Sequence, residues 1–228
     1  MQARWRGQPT DFLAEEPFLR SDPRPDAEFY SSPRFVDHVD TTAIGQITGL
    51  YGKLVPRGAR VLDLMSSWHS HLPAVVEPER AVGLGMNGAE LDANTTLHEG
   101  VIQDLNQAPE LPFADAAFDA VLCTVSVEYL TNPHKVFREV ARVLRPGGRF
   151  VVTFSNRWFP TKVIRIWEGI HEFERPGLVS EYFLESGLFE NLETWSMRGL
   201  PRPADDKYAD RLLASDPVYA VWAERVTT

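Results

Sequence analysis

The feature that most constrains the fold is the alternation, between residues 60 and 154, of short apolar runs with helical segments. Short runs rich in valine and leucine are typical of buried parallel strands, and parallel neighbours need a crossover that is usually a helix. This order predicts an α/β fold, a Rossmann-like, doubly wound sheet that is mostly parallel and has helices on both faces. The predicted strands are residues 60–65, 80–85, 101–103, 118–125 and 149–154.

Apolar spacings of three and four residues predict helices between and around these strands. The last third of the chain differs, because the alternating runs 190–197 and 218–226 have no helical crossover between them. Such runs predict an antiparallel pair at the edge of the sheet. The predicted helices are residues 34–55, 70–76, 89–94, a segment that begins at Pro133, 158–167 and 177–186.

Proline divides the chain into two regions. Five of the 17 prolines lie within the first 33 residues, a density that excludes long helices and central strands. We therefore predict an N-terminal proline-rich arm over residues 1–33 and a single sheet domain over residues 34–228. Aromatic residues along the arm indicate that it docks on something. It either wraps its own domain or contributes its end, residues 29–34, to a lid over a ligand.

Composition and charge exclude several classes of protein. The 228 residues include 23 Lys and Arg against 32 Asp and Glu, and the formal net charge of −9 argues against a general nucleic-acid binder. No window reaches the roughly 18 apolar residues of a membrane span, and no apolar stretch follows the basic start. These features predict a soluble, cytoplasmic protein without a membrane partner, and they leave its oligomeric state open. Cys123, the single cysteine, lies in an apolar run and is expected to be buried.

Ligands of such sheets bind beyond the carboxyl ends of the strands, which directs attention to Asp63. A carboxylate inside an apolar strand is unfavourable to bury unless it is hydrogen-bonded or meets a ligand amine. The following turn carries His69 and His71, but rings two residues apart diverge, and no cysteine or acidic cluster accompanies them. No metal site is therefore expected.

Four motifs occur in order, at residues 61–64, 82–87, 111–121 and 138–148; the last two read LPFADAAFDAV and REVARVLRPGG. This order resembles the class I S-adenosylmethionine-dependent methyltransferases over about residues 35 to 155. It is most similar to the small-molecule branch often called type 11, and within that to a subgroup with a Ser-Ser-Trp first loop. The resemblance implies a seven-stranded sheet with an antiparallel last pair, S-adenosylmethionine as cofactor, and methyl transfer to an oxygen, nitrogen or carbon of a small molecule.

The resemblance also implies a set of cofactor contacts. Asp63 matches the acidic residue near the methionyl amino group, and Met86 matches the apolar residue that packs on adenine. Asp104, with the backbone of Leu105, matches the contact to the amino edge of adenine. The backbone carbonyl of Ser126 matches the group that faces the methionine part of the cofactor.

The chain departs from the family pattern at two places. Met65, Ser67 and His69 occupy positions where the family carries glycines, so their side chains are expected to narrow the cofactor pocket. Gly85 replaces the acidic residue that holds the ribose hydroxyls in the family. Asn87, two positions further on, is expected to supply a neutral and weaker hydrogen bond.

Methyl transfer requires in-line placement of the acceptor and sometimes a base, so no nucleophile motif is expected. Arg34 could hold a substrate carboxylate or pair with a nearby aspartate. The candidates for contact with the acceptor are Tyr30, His38, Glu128 and Tyr129, each of which could instead have a structural role.

The late aromatic residues leave two interpretations open. Trp158, Phe159, Trp167 and Phe173 could wall an apolar acceptor pocket or belong to the core.

Two other functions compete with methyl transfer. One is a non-enzymatic protein of the same fold with a ligand-sensing or scaffolding role. The other is a nicotinamide-dependent oxidoreductase, which the lack of a G-x-G-x-x-G motif after the first strand makes weaker.

Overall fold

The computed structural model describes residues 16–227, which are built around one seven-stranded sheet. The strands are β1 (Arg60–Ser66), β2 (Arg80–Gly85), β3 (Glu99–Ile102), β4 (Phe118–Thr124), β5 (Leu144–Phe154), β6 (Phe189–Met197) and β7 (Val218–Arg225). Their order is β3-β2-β1-β4-β5-β7-β6, with β7 antiparallel to both β5 and β6 and the other pairs parallel. The predicted Rossmann-like sheet with an antiparallel last pair is confirmed.

The helices are α1 (Asp26–Phe29), α2 (Thr41–Leu54), α3 (Gly88–Ala93), α4 (Pro133–Val143), α5 (Arg165–Gly169) and α6 (Arg175–Ser186). Those predicted at 89–94, from Pro133 and at 177–186 are present with small shifts of their ends. The helix predicted at 70–76 is wrong: only Ala74–Val76 forms a 3₁₀ turn, because His71 has a φ of 54° and Pro73 follows it. Most of the helix predicted at 158–167 is also wrong, since Pro160 interrupts it and α5 begins only at Arg165.

The helix predicted at 34–55 begins later, at Thr41. Asp40 is its N-cap, and its carboxylate accepts a hydrogen bond from the backbone amide of Ala43 at 3.0 Å. A cap of this kind stabilises the first turn and stops the helix from extending backwards. Residues 34–40 therefore lie outside the helix, with bends at His38 and Val39.

The core lies in two layers, one on each face of the sheet. Successive residues of β1 alternate between them, with Leu62 packed in the α4 and α6 layer and Val61 in the α2 layer. Tyr51 of α2 anchors the second layer, because its hydroxyl hydrogen-bonds to the hydroxyls of Thr124 and Thr153. Cys123 is buried as predicted, and burial raises the pKa of its thiol well above the usual value.

The described part of the arm packs on its own domain. Arg20 forms an antiparallel bridge with Ile164, and the fully buried side chain of Lys162 reaches the arm. Its ammonium lies 2.8 Å from the carbonyl oxygen of Arg24 and 3.2 Å from the carboxylate of Asp26. The first 15 residues of the predicted arm lie outside the described residues. Within residues 16–227, no helix is long and apolar enough to cross a bilayer.

A buried ionic cluster fixes the long polar loop that precedes β7. Arg202, whose side chain is 2% exposed, lies 2.6 Å from Asp216, 2.9 Å from Asp206 and 3.4 Å from Asp40. Asp40 also accepts a hydrogen bond from the backbone amide of Asp216 at 2.6 Å. The start of α2 and the loop before β7 are thus held by the same charges.

Replacing Asp40 by alanine is expected to lower the free energy of unfolding by about 3 kcal/mol, because it removes a helix cap and leaves Arg202 short of a buried partner. Urea denaturation measures the change. Asp205→Ala, an exposed position in the same loop, is the control and should alter stability by less than about 0.5 kcal/mol. Equal effects of the two substitutions would contradict the role given to the cluster.

Candidate active site

A cavity opens at the carboxyl ends of the strands, beside the junction of β1 and β4 where the strand order reverses. Residues that follow four different strands meet there. Seven of the eight predicted cofactor residues line it: Asp63, Met65, Ser67, Met86, Asp104, Leu105 and Ser126.

Asn87 is the predicted residue that does not line this cavity. Its side-chain oxygen accepts a hydrogen bond from the amide of Glu90 and caps α3, and its amide group donates to the carbonyl oxygen of Tyr30 at 2.9 Å. The side chain therefore connects α3 to the arm, and its hydrogen-bonding groups are already used.

Asp63 is a buried carboxylate on the cavity wall. It is 3% exposed, and the hydroxyl of Ser66 donates to it at 2.6 Å. Burial raises its pKa to about 6, although hydrogen bonds from Ser66 and Ser70 act in the opposite direction. No cationic side chain within residues 16–227 pairs with it. The wall thus offers an acceptor suited to a cationic ligand group such as an ammonium.

A bulge at Met65 shapes the end of β1. The register between β1 and β2 shifts between Leu64 and Ser66, and Met65 has a φ of 58°. The bulge brings the backbone of Ser66 so close to Gly85 that a Cβ at residue 85 would lie 2.3 Å from the Ser66 carbonyl oxygen. Glycine is therefore required at 85, and an acidic side chain is sterically excluded from this position.

Glu90, which the sequence analysis missed, brings a second buried carboxylate to the cavity. It is 7% exposed and accepts hydrogen bonds from the backbone amide of Arg34 at 2.7 Å and from the hydroxyl of Ser67 at 2.6 Å. The available signal was an acidic residue in the predicted helix that directly follows Gly85. The end of β2 therefore lies near a carboxylate even though residue 85 has no side chain.

The segment of residues 34–40 covers the cavity, and the first loop holds two of its residues there. The indole of Trp68 donates to the carbonyl oxygen of Val36 at 3.2 Å, and the ring of His69 lies 3.2 Å from the carboxylate of Asp37. The two loop rings stack with centroids 3.7 Å apart. The Ser-Ser-Trp-His loop thus holds residues 36 and 37 in place.

The cavity is narrow. Its volume is about 130 Å³, whereas pockets for drug-sized ligands have volumes of roughly 300–1,000 Å³. Met65, Ser67 and His69, whose side chains were expected to narrow the pocket, all line its wall. A nucleoside-sized ligand therefore requires the covering segment to shift.

Three of the four acceptor candidates line the cavity, namely Tyr30, His38 and Tyr129. Burial lowers the pKa of His38, so its imidazole is neutral at pH 7. Glu128 lies away from the cavity wall; it is fully buried, neither of its oxygens has a hydrogen-bond partner, and burial raises its pKa to about 8. The structure thus separates Glu128 from the other candidates.

A second cavity of about 460 Å³ adjoins the first and shares Tyr129 and Phe159 with it. Of the late aromatic residues, Trp158 lines this cavity, Trp167 is in the core and Phe173 is 56% exposed. The sequence analysis missed the contribution of the loop before β7. That loop adds Asp206, Lys207, Tyr208 and Asp216.

Within residues 16–227, no group of three or more His, Cys, Asp or Glu side chains is arranged to hold a metal ion.

Comparison with known proteins identifies a matching domain. The family model described as "Methyltransferase domain" matches residues 72–152. The ubiquinone/menaquinone biosynthesis C-methyltransferase UbiE of Chromobacterium violaceum is 43% identical over 67 residues, 28% of each chain. Methyltransferase GfsG of Streptomyces halstedii is 28% identical over 142 residues, 54% of this chain and 48% of that protein. The chain spans about half or less of the length of these relatives.

Solved structures show the same architecture. A chain from the complex between the Haloferax volcanii Trm112 methyltransferase activator and the putative methyltransferase aligns with a TM-score of 0.60 at 18% identity, covering 81% of this chain and 91% of that one. The [4+2]-cyclase SpnF gives 0.57 at 16% identity, with 89% and 92% covered. An S-adenosylmethionine-dependent methyltransferase from Aquifex aeolicus gives 0.54 at 13% identity, with 88% and 97% covered.

The chain has the fold of the class I methyltransferases. The matched methyltransferase domain implies S-adenosylmethionine as the cofactor.

Asp63 is expected to leave a signature in the pH dependence of stability. Its pKa is raised from the usual 3.8 to about 6, so between these values the folded chain keeps a proton that the unfolded chain has lost. The contribution of Asp63 to the free energy of unfolding is therefore fully present below about pH 4. It falls by about 3 kcal/mol as the pH rises from about 4 to 6.

Asp63→Asn should remove that fall, which urea denaturation at a series of pH values would measure. Asp115→Asn, at a carboxylate that is 78% exposed, is the control and should keep it. If the free energy of unfolding depends on pH in the same way in the unaltered protein and in Asp63→Asn, the pKa of Asp63 is not raised.

Proposed function

We propose that the chain is an S-adenosylmethionine-dependent methyltransferase that acts on a small molecule. The observation that carries this proposal is Asp63, a buried carboxylate without a cationic partner at the point where the strand order reverses. A second cavity directly beside this point offers a place for the acceptor.

The residues of the first cavity fit the cofactor chemically. The carboxylate of Asp63 suits the ammonium of the methionine part, and the half-buried Met86 and the buried Leu105 suit the adenine ring. Asp104 already accepts hydrogen bonds from the Asn106 amide and the Gln107 side chain within its own loop, but a carboxylate has further lone pairs for the adenine amino group.

Glu90 takes the place of the missing acid. Its buried carboxylate is our candidate for binding the ribose hydroxyls, because the packing of Ser66 against Gly85 leaves no room for an acid at residue 85. A carboxylate hydrogen bond to a hydroxyl is stronger than a neutral one, so Glu90 is a better candidate than Asn87.

When bound, the cofactor supplies an activated methyl group on a sulfonium. The protein places the acceptor: Trp158, Phe159 and Tyr208 line the second cavity and hold an apolar or planar body. His38 lines both cavities, and its neutral imidazole is able to accept a proton from the acceptor. Glu128 lines neither cavity and takes no part in this scheme.

A second candidate function is a non-enzymatic, ligand-sensing or scaffolding protein of the same fold. The specific observation in its favour is the small volume of the first cavity, about 130 Å³. Cofactor binding distinguishes the two candidates.

Isothermal titration calorimetry with S-adenosylmethionine and S-adenosylhomocysteine tests the proposal. We expect dissociation constants below about 1 mM, and a loss of at least about tenfold in Asp63→Ala because a charged hydrogen bond to the ammonium is removed. Asp115→Ala is the exposed control and should bind normally. If the unaltered protein binds neither compound at 1 mM, the methyltransferase function is wrong.

Glu90→Gln tests the ribose assignment. We expect S-adenosylhomocysteine to bind about tenfold more weakly, because the strong carboxylate acceptor for the ribose hydroxyls is lost. The same substitution should reduce the affinity for the 2′-deoxy analogue of S-adenosylhomocysteine clearly less. Asp92→Asn, at an exposed position on the same helix, serves as the matched control. An equal loss for both ligands would mean that Glu90 only holds Arg34 and Ser67 in place.

A further inference from the structure

Arg34 carries a buried hydrogen-bond donor without a partner. Its Nη1 is shielded from solvent and has no hydrogen bond, while Nη2 donates to the carbonyl oxygen of Phe29 at 2.8 Å. A buried unpaired donor is unfavourable, and more so on a charged group. Nη1 therefore needs a hydrogen-bond acceptor that residues 16–227 do not supply.

Aromatic rings hold the guanidinium in place at the cavity. The central carbon of Arg34 lies 4.4 Å from the ring centre of Phe29 and 5.6 Å from those of Tyr30 and Phe159. Its backbone amide is fixed by the carboxylate of Glu90. Stacking on rings does not use the in-plane N–H groups, and Arg34 is one of the residues that line the first cavity. Because Nη1 is shielded, a ligand reaches it when the covering segment shifts.

The carboxylates near Arg34 make their hydrogen bonds and ion pairs with groups other than its guanidinium. Asp26 is bound by Arg20 and Lys162, and Glu90 accepts from Ser67 in addition to the Arg34 amide. Within residues 16–227, no ion pair connects a carboxylate to the Arg34 guanidinium. The missing partner is therefore expected to be an anionic group of a ligand, and the planar fork of a guanidinium matches a carboxylate best.

We propose that Arg34 binds a ligand carboxylate in the first cavity. This carboxylate has two possible sources. The first is the aminoacyl carboxylate of the cofactor, with Asp63 binding the ammonium of the same amino acid; for this source the inference rests on the proposed function. The second source is a carboxylate on the methyl acceptor, since Phe159 beside Arg34 also lines the second cavity. In either case the arm belongs to the binding site, and the ligand helps to hold it closed.

The test compares S-adenosylhomocysteine with 5′-methylthioadenosine, a thioether of adenosine that lacks the aminoacyl group. In Arg34→Gln we expect the affinity for S-adenosylhomocysteine to fall at least about tenfold and that for 5′-methylthioadenosine to stay within about twofold. Arg24→Gln is the matched control, because Arg24 is an arm arginine whose side chain is 72% exposed. It should leave both affinities unchanged.

A second experiment tests whether the methyl acceptor supplies the carboxylate. Protein saturated with S-adenosylhomocysteine is titrated with benzoate and with the neutral benzamide. Loss of benzoate binding in Arg34→Gln, with unchanged binding of S-adenosylhomocysteine, supports a carboxylate on the acceptor. If Arg34→Gln fails to fold by circular dichroism, Arg34→Lys is used, which keeps the charge without the fork and should give a smaller selective loss.

The outcomes separate the inference from the function on which it rests. An equal loss for S-adenosylhomocysteine and 5′-methylthioadenosine, or no change for any of the probes, would overturn the role of Arg34. Failure of the unaltered protein to bind either thioether would instead overturn the proposed function. Benzoate titrated without cofactor would then still decide whether Arg34 binds a carboxylate.

Discussion

The close contact between the backbone of Ser66 and Gly85 is the constraint on which the site depends. It lies at the bulge at Met65, where β1 carries one residue more than β2. The first loop can then place Trp68 and His69 against residues 36 and 37. The same contact leaves no space for an acid at residue 85, so a carboxylate can reach this edge only from α3. The bulge, the contacts of the first loop with residues 36 and 37, and Glu90 thus all lie at one edge of the sheet.

The distribution of buried charge separates structure from function. Lys162 and Arg202 are buried and fully surrounded by partners, and their clusters fix the arm and the loop before β7. Asp63 and Arg34, in contrast, lie on the cavity wall with capacity left for a ligand. Burial without a compensating partner is unfavourable, so a folded chain retains such groups mainly where a ligand completes them. Glu128 is a third group of this kind, but it lies outside both cavities, and nothing in the present scheme uses it.

Much of the fold could be predicted because buried strands have a clear local signal. Apolar runs located β1, β2, β4 and β5, and alternation located β6 and β7. Helix limits were predicted less well where a tertiary interaction decides them. The capping carboxylate of Asp40 is held by Arg202, more than 150 residues away. This interaction fixes the start of the helix at Thr41. For the site, seven of the eight predicted cofactor residues do meet in one cavity. Asn87, which was expected to supply a weaker hydrogen bond to the ribose, instead bonds to α3 and Tyr30.

The sequence alone determined the doubly wound sheet, its antiparallel last pair and the sheet edge at which Asp63 lies, because strand pattern and connection order are local properties of the chain. Only the tertiary structure decided which acid stands near the end of β2, how the arm closes the cavity and where a second cavity lies. These features depend on contacts between segments far apart in sequence: Glu90 with Arg34, Trp68 with Val36, and Phe159 with Tyr129. Such contacts depend on packing distances of a few ångströms, which no local pattern of residues records.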